Sequence, residues 1–507
     1  MMKKTHPLFV ELTEQSKEIH TYGSILSLLH WDQETQMPSG GITARSQQIA
    51  LLSKHVHEEK TSKKFRSRLE KLIHLSSGKP KIKGLSRPEL VCLREWRKTF
   101  LKDTKLPSRF VEEFSQVTSE ATQIWAVARE QNKVKLFLPF LQKIVDLNRK
   151  KADILGFQDH PYDPLLECHE PCMTTARVGT IFNDLQKDLT ALLKKITAAK
   201  PLDDRFLHKL VGKEKQMEMA RFFLTKLPVD PSYFRLDLSN HPFSTGLHPH
   251  DARITTRVIP KAFMSNIFSL LHEAGHMMYD MGLPTKYWGT PLAEAVSLSI
   301  HESQSRWWET LIGRNLPFWR SFYPSLQELY PPLKKVSLDQ FYRAVNKVSP
   351  TCIRVEADEV TYCLHVILRF EIEKQLVSGS LATADLPDFW NSKMQELLGI
   401  KPKSDTEGCL QDIHWSLGEF GYFPTYALGN LFAAQFFSAF AGEHKDWDEK
   451  ITQGDLAFIR EWLKKNIHQW GRTYDAEELV KKVTKQGLSS DAYCTYLKKK
   501  YAAIYGF

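Results

Sequence analysis

Residues 267–279 read IFSLLHEAGHMMY, an apolar run that contains the pattern H-E-x-x-H and has the period of a helix. On an α-helix, residues four positions apart lie on the same face, so His272 and His276 can direct two imidazole nitrogens at one metal ion. Glu273 lies about 100° round the axis from His272, where it can reach a water molecule beside the ion but is badly placed to be a third ligand. The motif predicts the metal site of a zinc hydrolase, which combines two fixed ligands, a nearby carboxylate base and room for water.

Two less specific interpretations of this motif stay open. Five residues can match the pattern by chance in a chain that contains 19 histidines. They can also belong to a structural zinc site, but such a site is normally closed by four protein ligands, often cysteines, and no cysteine lies near His272 in the sequence. The rest of the chain must therefore supply a third ligand and a substrate site.

A third ligand is available on a second predicted helix. Thr290-Pro291 has the signals of a helix start, because Thr can cap a helix and Pro suits its first turn. A helix that returns beside the first could bring the Glu302 carboxylate to the metal and leave the fourth position open to water. His301 is the rival ligand, and spacing alone does not choose between the two neighbours.

The chain has 507 residues, of which 42% are hydrophobic, and most of it has the period of helices. Ser86-Arg87-Pro88-Glu89 has the signals of a helix start, and residues 76–84 form a loop between two helices. We find no internal repeat or low-complexity linker. We therefore expect one mainly α-helical unit over residues 1–507, with two lobes around one cleft as a possible arrangement. The clearest apolar stripes are Phe110, Phe114, Val117, Ala121, Trp125 and Ala128, then Phe137, Phe140, Leu141, Ile144 and Leu147.

Just before the helix predicted to carry His272 and His276, the hydrophobic pattern changes from the helical repeat to the two-residue repeat of a strand, which predicts a small β-sheet or hairpin. Apolar and polar residues alternate over residues 234–238 and again over residues 254–258, and residues 241–246 connect the two runs. An extended substrate could pair with an edge of such a sheet through main-chain hydrogen bonds. An ordinary hairpin that covers the core fits the pattern equally well.

Composition and charge favour a cytoplasmic protein. The longest apolar stretch, residues 427–442, is interrupted by Asn430 and Gln435 and predicts a buried helix rather than a membrane span. Residues 1–6 are basic but are followed by no apolar segment of a signal peptide. The seven cysteines are odd in number and without metal-site spacing, so we expect free thiols. The net charge of +10 is spread over helical segments, which favours a solvated basic surface over nucleic-acid or membrane binding.

The order and spacing of further motifs resemble the carboxypeptidase Taq family, the thermostable carboxypeptidases of the gluzincin metallopeptidases. The resemblance covers nearly the whole chain. One departure stands out, because Cys172 occupies a position where the family has Gly, and this puts the local backbone conformation in doubt. The motifs are LHWD (29–32) with MP (37–38), HPF (241–243), DARIT (251–255), HEAGH (272–276), HESQ (301–304), IRVEADE (353–359) and GCLQDIHW (408–415).

The resemblance implies a mainly α-helical, saddle-like fold with a deep cleft, commonly as a homodimer. It implies release of single residues from the free C-terminus of peptides, with broad specificity and a poor rate at proline. It selects Glu302 over His301 as the third ligand, with one Zn²⁺ per subunit and Co²⁺ as a substitute. Glu273 would then be the general base.

An exopeptidase must also bind a free carboxylate, for which a planar guanidinium is well suited. Arg354 is the first candidate, supported by the resemblance, and Arg253 is the second. The alternative for each is a salt bridge, which for Arg354 would be formed with Glu356, Asp358 or Glu359.

Other polar side chains are candidates for the cleft. Tyr426, or else Tyr422, could donate a hydrogen bond to the oxyanion, although packing in the core or a lid would place them equally well. His241 and His414, together with Gln411 and Asp412, would line the substrate site. The competing hypotheses for the whole protein are an endo-acting zinc oligopeptidase of similar fold and a binding module with a vestigial site.

Overall fold

Helices make up most of the molecule, as the sequence predicts. The computed structural model describes residues 6–507, so most of the basic stretch at residues 1–6, on which the signal-peptide interpretation rests, lies outside the described residues. The α-helices in this range are α1 (Pro7–Thr35), α2 (Ile42–Lys60), α3 (Lys63–Leu72), α4 (Arg87–Lys105), α5 (Ser108–Glu130), α6 (Val134–Leu155), α7 (Asp163–Glu167), α8 (Thr175–Ala198), α9 (Lys213–Lys226), α10 (Phe263–Gly282), α11 (Leu298–Arg306), α12 (Leu316–Leu329), α13 (Leu338–Val345), α14 (Tyr362–Ser378), α15 (Leu386–Leu398), α16 (Pro424–Glu443), α17 (Trp447–Thr452), α18 (Ala457–Asn466), α19 (Ala476–Thr484) and α20 (Asp491–Tyr505).

The sequence signals for α4, α5, α6 and α16 are confirmed. The Ser86 side chain accepts a hydrogen bond from the backbone of Glu89, whose carboxylate accepts one from the backbone of Ser86, so α4 begins with a capping box. The two apolar stripes lie on α5 and α6, where Ala121 and Leu141 are fully buried. Residues 427–442 belong to α16, which is mostly buried within the fold.

The small sheet before α10 is confirmed, but its topology differs from a two-stranded hairpin. The strands are β1 (Phe234–Leu238), β2 (Ser244–His248) and β3 (Asp251–Thr256), in the order β1-β3-β2. The two predicted strands, β1 and β3, pair in parallel, and the hairpin is formed by β2 with β3. The predicted connection therefore contains the start of a third strand, which was missed because the sequence STGLH lacks a clear alternation of apolar and polar residues.

Contacts with the small sheet fix the position of α10, the helix that carries His272 and His276. Asn266, in the first turn of α10, donates hydrogen bonds to the Thr256 hydroxyl (3.1 Å) and to the backbone oxygen of Arg257 (2.9 Å) at the end of β3. Gly246 of β2 packs against α10 so closely that a Cβ there would lie 2.7 Å from Oδ2 of Asp280. The start and the end of α10 are therefore both fixed against the same sheet.

The apolar core forms two clusters of buried side chains. A large cluster surrounds α10, α14 and α16, and it includes Ile267, Leu368 and Leu431, all fully buried. The N-terminal helices α1, α3 and α4 surround a second cluster, which also contains Leu292 from the segment between α10 and α11.

All seven cysteines are free thiols, as expected. In residues 6–507 we find no helix whose length and apolar character would let it cross a membrane.

Cys172 has a left-handed backbone conformation, which explains why glycine suits its position. Its φ is +68°, and its backbone N–H donates a 2.6 Å hydrogen bond to the Glu167 carboxylate. A residue with a Cβ atom is strained in this region, by about 1–2 kcal/mol, whereas glycine adopts it freely. The departure from the family pattern therefore costs stability at a surface turn.

Replacing Cys172 with Gly should raise the free energy of unfolding by about 1 kcal/mol, because the strain at φ +68° is removed. Urea denaturation of the wild type and the variant measures the change. Cys168→Gly is the matched control: Cys168 has φ −64°, so the extra freedom of glycine should lower stability there. Equal effects of the two substitutions would contradict the interpretation.

Candidate metal centre

Three side chains from two helices converge on one point. His272 and His276 extend from α10 and Glu302 from α11, and one ligand atom from each lies within 4.8 Å of the others. The distance from Glu302 Oε2 is 3.6 Å to Nε2 of His272 and 3.5 Å to Nε2 of His276. Two imidazoles and one carboxylate are the protein ligands of many catalytic zinc sites, which keep a further position for water.

Glu302 reaches this point on a helix that begins later than the sequence indicates. Thr290-Pro291 opens only a short 3₁₀ turn, Pro291–Ala293, so the predicted helix start is wrong. The backbone is extended again after this turn, and Ser297 caps α11 with its side chain. The buried carboxylate of Glu170 accepts hydrogen bonds from the backbone N–H (3.1 Å) and the hydroxyl (2.6 Å) of Ser299, and so anchors the first turn of α11.

Two glycines allow α11 to lie close enough to its neighbours. A Cβ atom at Gly275 of α10 would lie 2.5 Å from the backbone oxygen of Gln304 and 2.6 Å from Cα of Ser305. A Cβ atom at Gly429 of α16 would lie 2.5 Å from Cγ of Glu302. Helix α11 is therefore held between α10 and α16 at distances that exclude even a methyl group.

Two charged side chains hold the ligands in place. The guanidinium of Arg306 donates to Glu302 Oε1 (2.7 Å) and to Glu309 Oε2 (3.2 Å), so Oε2 of Glu302 is the oxygen that faces the imidazoles. Glu309, in the π-helical segment Trp307–Ile312, lies 2.9 Å from Nδ1 of His272. A carboxylate on Nδ1 keeps the proton there and leaves the Nε2 lone pair for a metal.

Burial and neighbouring charges together set the pKa of each of the three ligands. Burial alone would raise the pKa of Glu302, but Arg306 and His272 hold it well below its usual range. Burial lowers the pKa of His272, yet the charge on Glu302 and the hydrogen bond to Glu309 outweigh it and raise this pKa to about 8. Burial, followed by the charge on His301, lowers the pKa of His276 to about 4. Two imidazole nitrogens and one ionised carboxylate are a donor set that fits a divalent metal ion.

His301, the rival for the third ligand, has a different partner. Its Nε2 lies 3.2 Å from Oδ1 of Asp280, and its ring stacks on that of His276 with 4.3 Å between centroids. The structure therefore brings Glu302 rather than His301 to the two histidines of the motif.

Arg354 lies in a buried ion cluster with partners that the sequence did not indicate. Its Nε and Nη2 donate to Oδ1 of Asp412 (3.1 and 2.8 Å), and its Nη1 donates to the Tyr362 hydroxyl (3.2 Å). Arg369 donates from Nε to Oδ2 of Asp412 (2.7 Å). Arg354 forms the salt bridge that the sequence left open as an alternative, but its partner is Asp412 rather than Glu356, Asp358 or Glu359.

This cluster carries one uncompensated positive charge. Asp412 neutralises one of the two guanidinium groups of Arg354 and Arg369. Burial, followed by the charge of the neighbouring arginines, lowers the pKa of both His365 and His414 to about 3, so neither adds charge at neutral pH. Buried charge is costly unless it is paired. The cluster is therefore suited to receive an anion.

The predicted tyrosines lie between this cluster and the metal ligands. The Tyr426 hydroxyl is 3.1 Å from Nε2 of His414, and the rings of Tyr422 and Tyr426 lie 5.3 Å apart. Burial raises the pKa of both tyrosines, and the charge on Glu302 adds to this effect. The structure thus brings His414, Tyr422 and Tyr426 together on one side of the ligand cluster.

Buried groups on α14 fix the segment that carries these side chains, and sequence reasoning missed them. Glu373 accepts hydrogen bonds from the indole of Trp415 (2.8 Å) and the backbone of Gly421 (3.0 Å), and Arg369 donates to the side chain of Gln411 (2.8 Å). An arginine and a glutamate four residues apart within the apolar run CLHVILRFEIE were the available signal.

The two remaining candidates for substrate binding, Arg253 and His241, lie in the small sheet and in the connection between its strands. Arg253 of β3 forms two hydrogen bonds with Asp251, Nε to Oδ1 (2.7 Å) and Nη2 to Oδ2 (3.1 Å), and stacks over Trp31 of α1. This arrangement is the salt bridge that the sequence left open as an alternative. His241 is exposed between β1 and β2. Within residues 6–507, neither residue belongs to the group of three metal-ligand candidates.

Comparison with known proteins agrees with this geometry. The carboxypeptidase Taq (M32) metallopeptidase family matches residues 11–501. Thermostable carboxypeptidase 1 of Thermus thermophilus is 39% identical, covering 98% of this chain and 99% of its own length. Carboxypeptidase 1 of Bacillus subtilis is 36% identical, covering 99% of both chains. The crystal structure of the M32 carboxypeptidase from Deinococcus radiodurans superposes with a TM-score of 0.95 at 34% identity, covering 99% of this chain and 100% of that chain.

Replacing Glu309 with Gln should weaken zinc binding by about tenfold, because the negative charge that orients His272 is lost while the ligands remain. Competition with a chelator of known affinity measures the change. Glu328→Gln, at an exposed position paired only with Lys334, is the control and should leave the affinity unchanged. An affinity equal to that of the wild type in Glu309→Gln would show that Glu309 does not orient the ligand.

Proposed function

This chain belongs to the carboxypeptidase Taq (M32) family and is a metallocarboxypeptidase, and we propose that it releases single amino acids from the free C-terminus of peptides with a zinc ion held by His272, His276 and Glu302. The observation that carries the proposal is the convergence of these three side chains within 4.8 Å. When bound, the ion supplies Lewis acidity toward a water molecule and toward the scissile carbonyl. Cobalt, which accepts the same donors, is the expected substitute.

Glu273 is the proposed general base. It follows His272 directly on α10, and it is buried with 6% of its surface exposed. Whereas Glu302 and Glu309 are engaged by Arg306, we find no hydrogen-bond partner for the Glu273 carboxylate among residues 6–507. Its oxygens are therefore free to take the proton of the attacking water and to deliver it to the leaving amine.

Tyr426 is the proposed donor to the oxyanion that develops on the scissile carbonyl, with Tyr422 as the alternative. The His414 imidazole lies 3.1 Å from the Tyr426 hydroxyl and can fix its orientation. A preorganised hydroxyl in a water-poor site stabilises developing negative charge more than the same group in solvent. His414 itself faces this region and is proposed to contact the substrate.

Arg354 is the proposed anchor for the C-terminal carboxylate. Asp412 occupies the edge of the guanidinium formed by Nε and Nη2, and Tyr362 accepts one bond from Nη1. An N–H remains on each of the two terminal nitrogens, and this pair can bind both oxygens of a carboxylate. The uncompensated charge of the Arg354, Arg369 and Asp412 cluster favours an anion at this place. Arg253 is the second candidate for the terminal carboxylate, and His241 is a candidate for contact with the substrate.

Further properties are proposed from the family resemblance. They are broad specificity, slow release at proline and a homodimeric assembly. A cytoplasmic location is proposed instead from the composition and the spacing of the cysteines, and one peptidase domain over residues 1–507 from the lack of an internal repeat or low-complexity linker in the sequence. The anion site at Arg354 favours the exopeptidase over the endo-acting oligopeptidase.

Replacing Glu273 with Gln should lower kcat by about 10²–10⁴-fold while the bound zinc is retained, because the amide cannot accept the proton of water. Mass spectrometry of a peptide incubated with the enzyme records the ladder of C-terminal losses, and metal analysis of the same sample records the zinc. A chelator should abolish the ladder for the wild type. Undiminished turnover in Glu273→Gln would remove Glu273 from the proposed role.

Replacing Arg354 with Ala should raise KM by about 100-fold for peptides with a free C-terminus, because charge-assisted hydrogen bonds to the carboxylate are lost. The variant should fold, since Asp412 and Arg369 remain as a neutral pair. Steady-state kinetics on one peptide in free and C-terminally amidated forms measures the effect. The wild type should not process the amidated peptide, and its rapid cleavage at internal bonds would favour the oligopeptidase.

A further inference from the structure

Tyr362 lies between the metal ligands and the proposed carboxylate anchor. It is the first residue of α14 and has 7% of its surface exposed. The guanidinium carbon of Arg306 lies 4.3 Å from the centre of its ring, and its hydroxyl accepts a 3.2 Å hydrogen bond from Nη1 of Arg354. One side chain therefore contacts two guanidinium groups, one that binds a metal ligand and one that is the proposed carboxylate anchor.

The two contacts use different parts of the side chain. Arg306 binds the metal ligand Glu302 at 2.7 Å and lies over the face of the Tyr362 ring, where a cation is attracted by the π-electrons. Arg354 is held by the hydroxyl and by Asp412. The guanidinium of Arg354 also lies 6.0 Å from the centre of the same ring. The two guanidinium groups are therefore held by one side chain, Arg306 at the ring face and Arg354 at the hydroxyl.

We propose that Tyr362 is a positioning residue that sets the place of the carboxylate anchor relative to the metal ligands. Its hydroxyl fixes the rotation of the Arg354 guanidinium, so that the pair of N–H groups left free by Asp412 points to the substrate. Its ring fixes Arg306, and through it the orientation of the Glu302 carboxylate. The inference rests on the proposed role of Arg354 as the anchor of the C-terminal carboxylate.

The separate contacts allow separate tests. Tyr362→Phe removes the hydroxyl and keeps the ring, so KM for a peptide with a free C-terminus should rise by about tenfold while kcat changes by less than twofold. Zinc affinity, measured by competition with a chelator, should stay unchanged. Tyr362→Leu removes the ring as well and should also weaken zinc binding by several-fold.

Tyr323→Phe is the matched control for the loss of a buried hydroxyl. Tyr323 is 3% exposed, and its hydroxyl donates only to backbone oxygens of Leu333 and Val336. This variant should leave KM, kcat and zinc affinity unchanged. A change in kcat alone in Tyr362→Phe, or zinc affinity in Tyr362→Leu equal to that of the wild type, would overturn the corresponding half of the inference.

A double-mutant cycle with Arg354→Ala separates this inference from the proposed function. If Tyr362 acts through Arg354, Tyr362→Phe should have no further effect on KM once Arg354 is Ala. If Arg354→Ala leaves KM unchanged, the anchor itself is wrong. If Arg354→Ala raises KM and Tyr362→Phe does not, the anchor stands and the role of Tyr362 is refuted.

Discussion

The burial of the Glu302 carboxylate between two helices is the constraint on which the rest of the site depends. An ionised carboxylate removed from water costs several kcal/mol unless it is paired and hydrogen-bonded. Arg306 satisfies Oε1, whereas Oε2 accepts a hydrogen bond from the Ser305 hydroxyl (3.1 Å) and faces the imidazoles of His272 and His276. A cation at this point completes the pairing of charges, so the requirement for stability and the requirement for metal binding lead to the same geometry.

The same reasoning explains the unusual composition of α14. This helix is buried on nearly all sides, yet it carries Tyr362, His365, Arg369 and Glu373. The arginine and the glutamate bind the segment from Gln411 to Gly421 through side-chain hydrogen bonds. Such buried polar networks contribute little net stability, because desolvation offsets the attraction, but they fix the positions of the groups that they join. Helix α14 therefore fixes the position of the segment that carries Asp412 and His414.

Local patterns in the sequence predicted the parts of the site that depend on local spacing. The face shared by His272 and His276 follows from the helical repeat, and the start of α4 follows from its capping box. The choice between His301 and Glu302 required the family resemblance or the structure, because adjacent residues differ only by a rotation of the helix. The partners of Arg354 and the parallel pairing of β1 with β3 were not predictable, since each depends on contacts between distant segments. The same holds for the contact of Glu309 with His272 and for the partners of Arg369, although the position of Arg369 in an apolar run was a signal that it is buried. Cys172 was predictable in part. The family resemblance indicated a glycine at this position, but only the φ angle of the structure shows that the backbone there is left-handed and therefore strained.

The close contacts of α11 at Gly275 and Gly429 also bear on how the protein is made. The centre draws on residues 272–309, but the surface that holds Glu302 from the other side belongs to α16, more than a hundred residues later. A chain still on the ribosome lacks that surface until most of its length has been synthesised. The Glu302 carboxylate can be held in its final position only after α16 has packed against α11. We therefore expect the metal centre to be completed late in synthesis, after α16 has folded against α11.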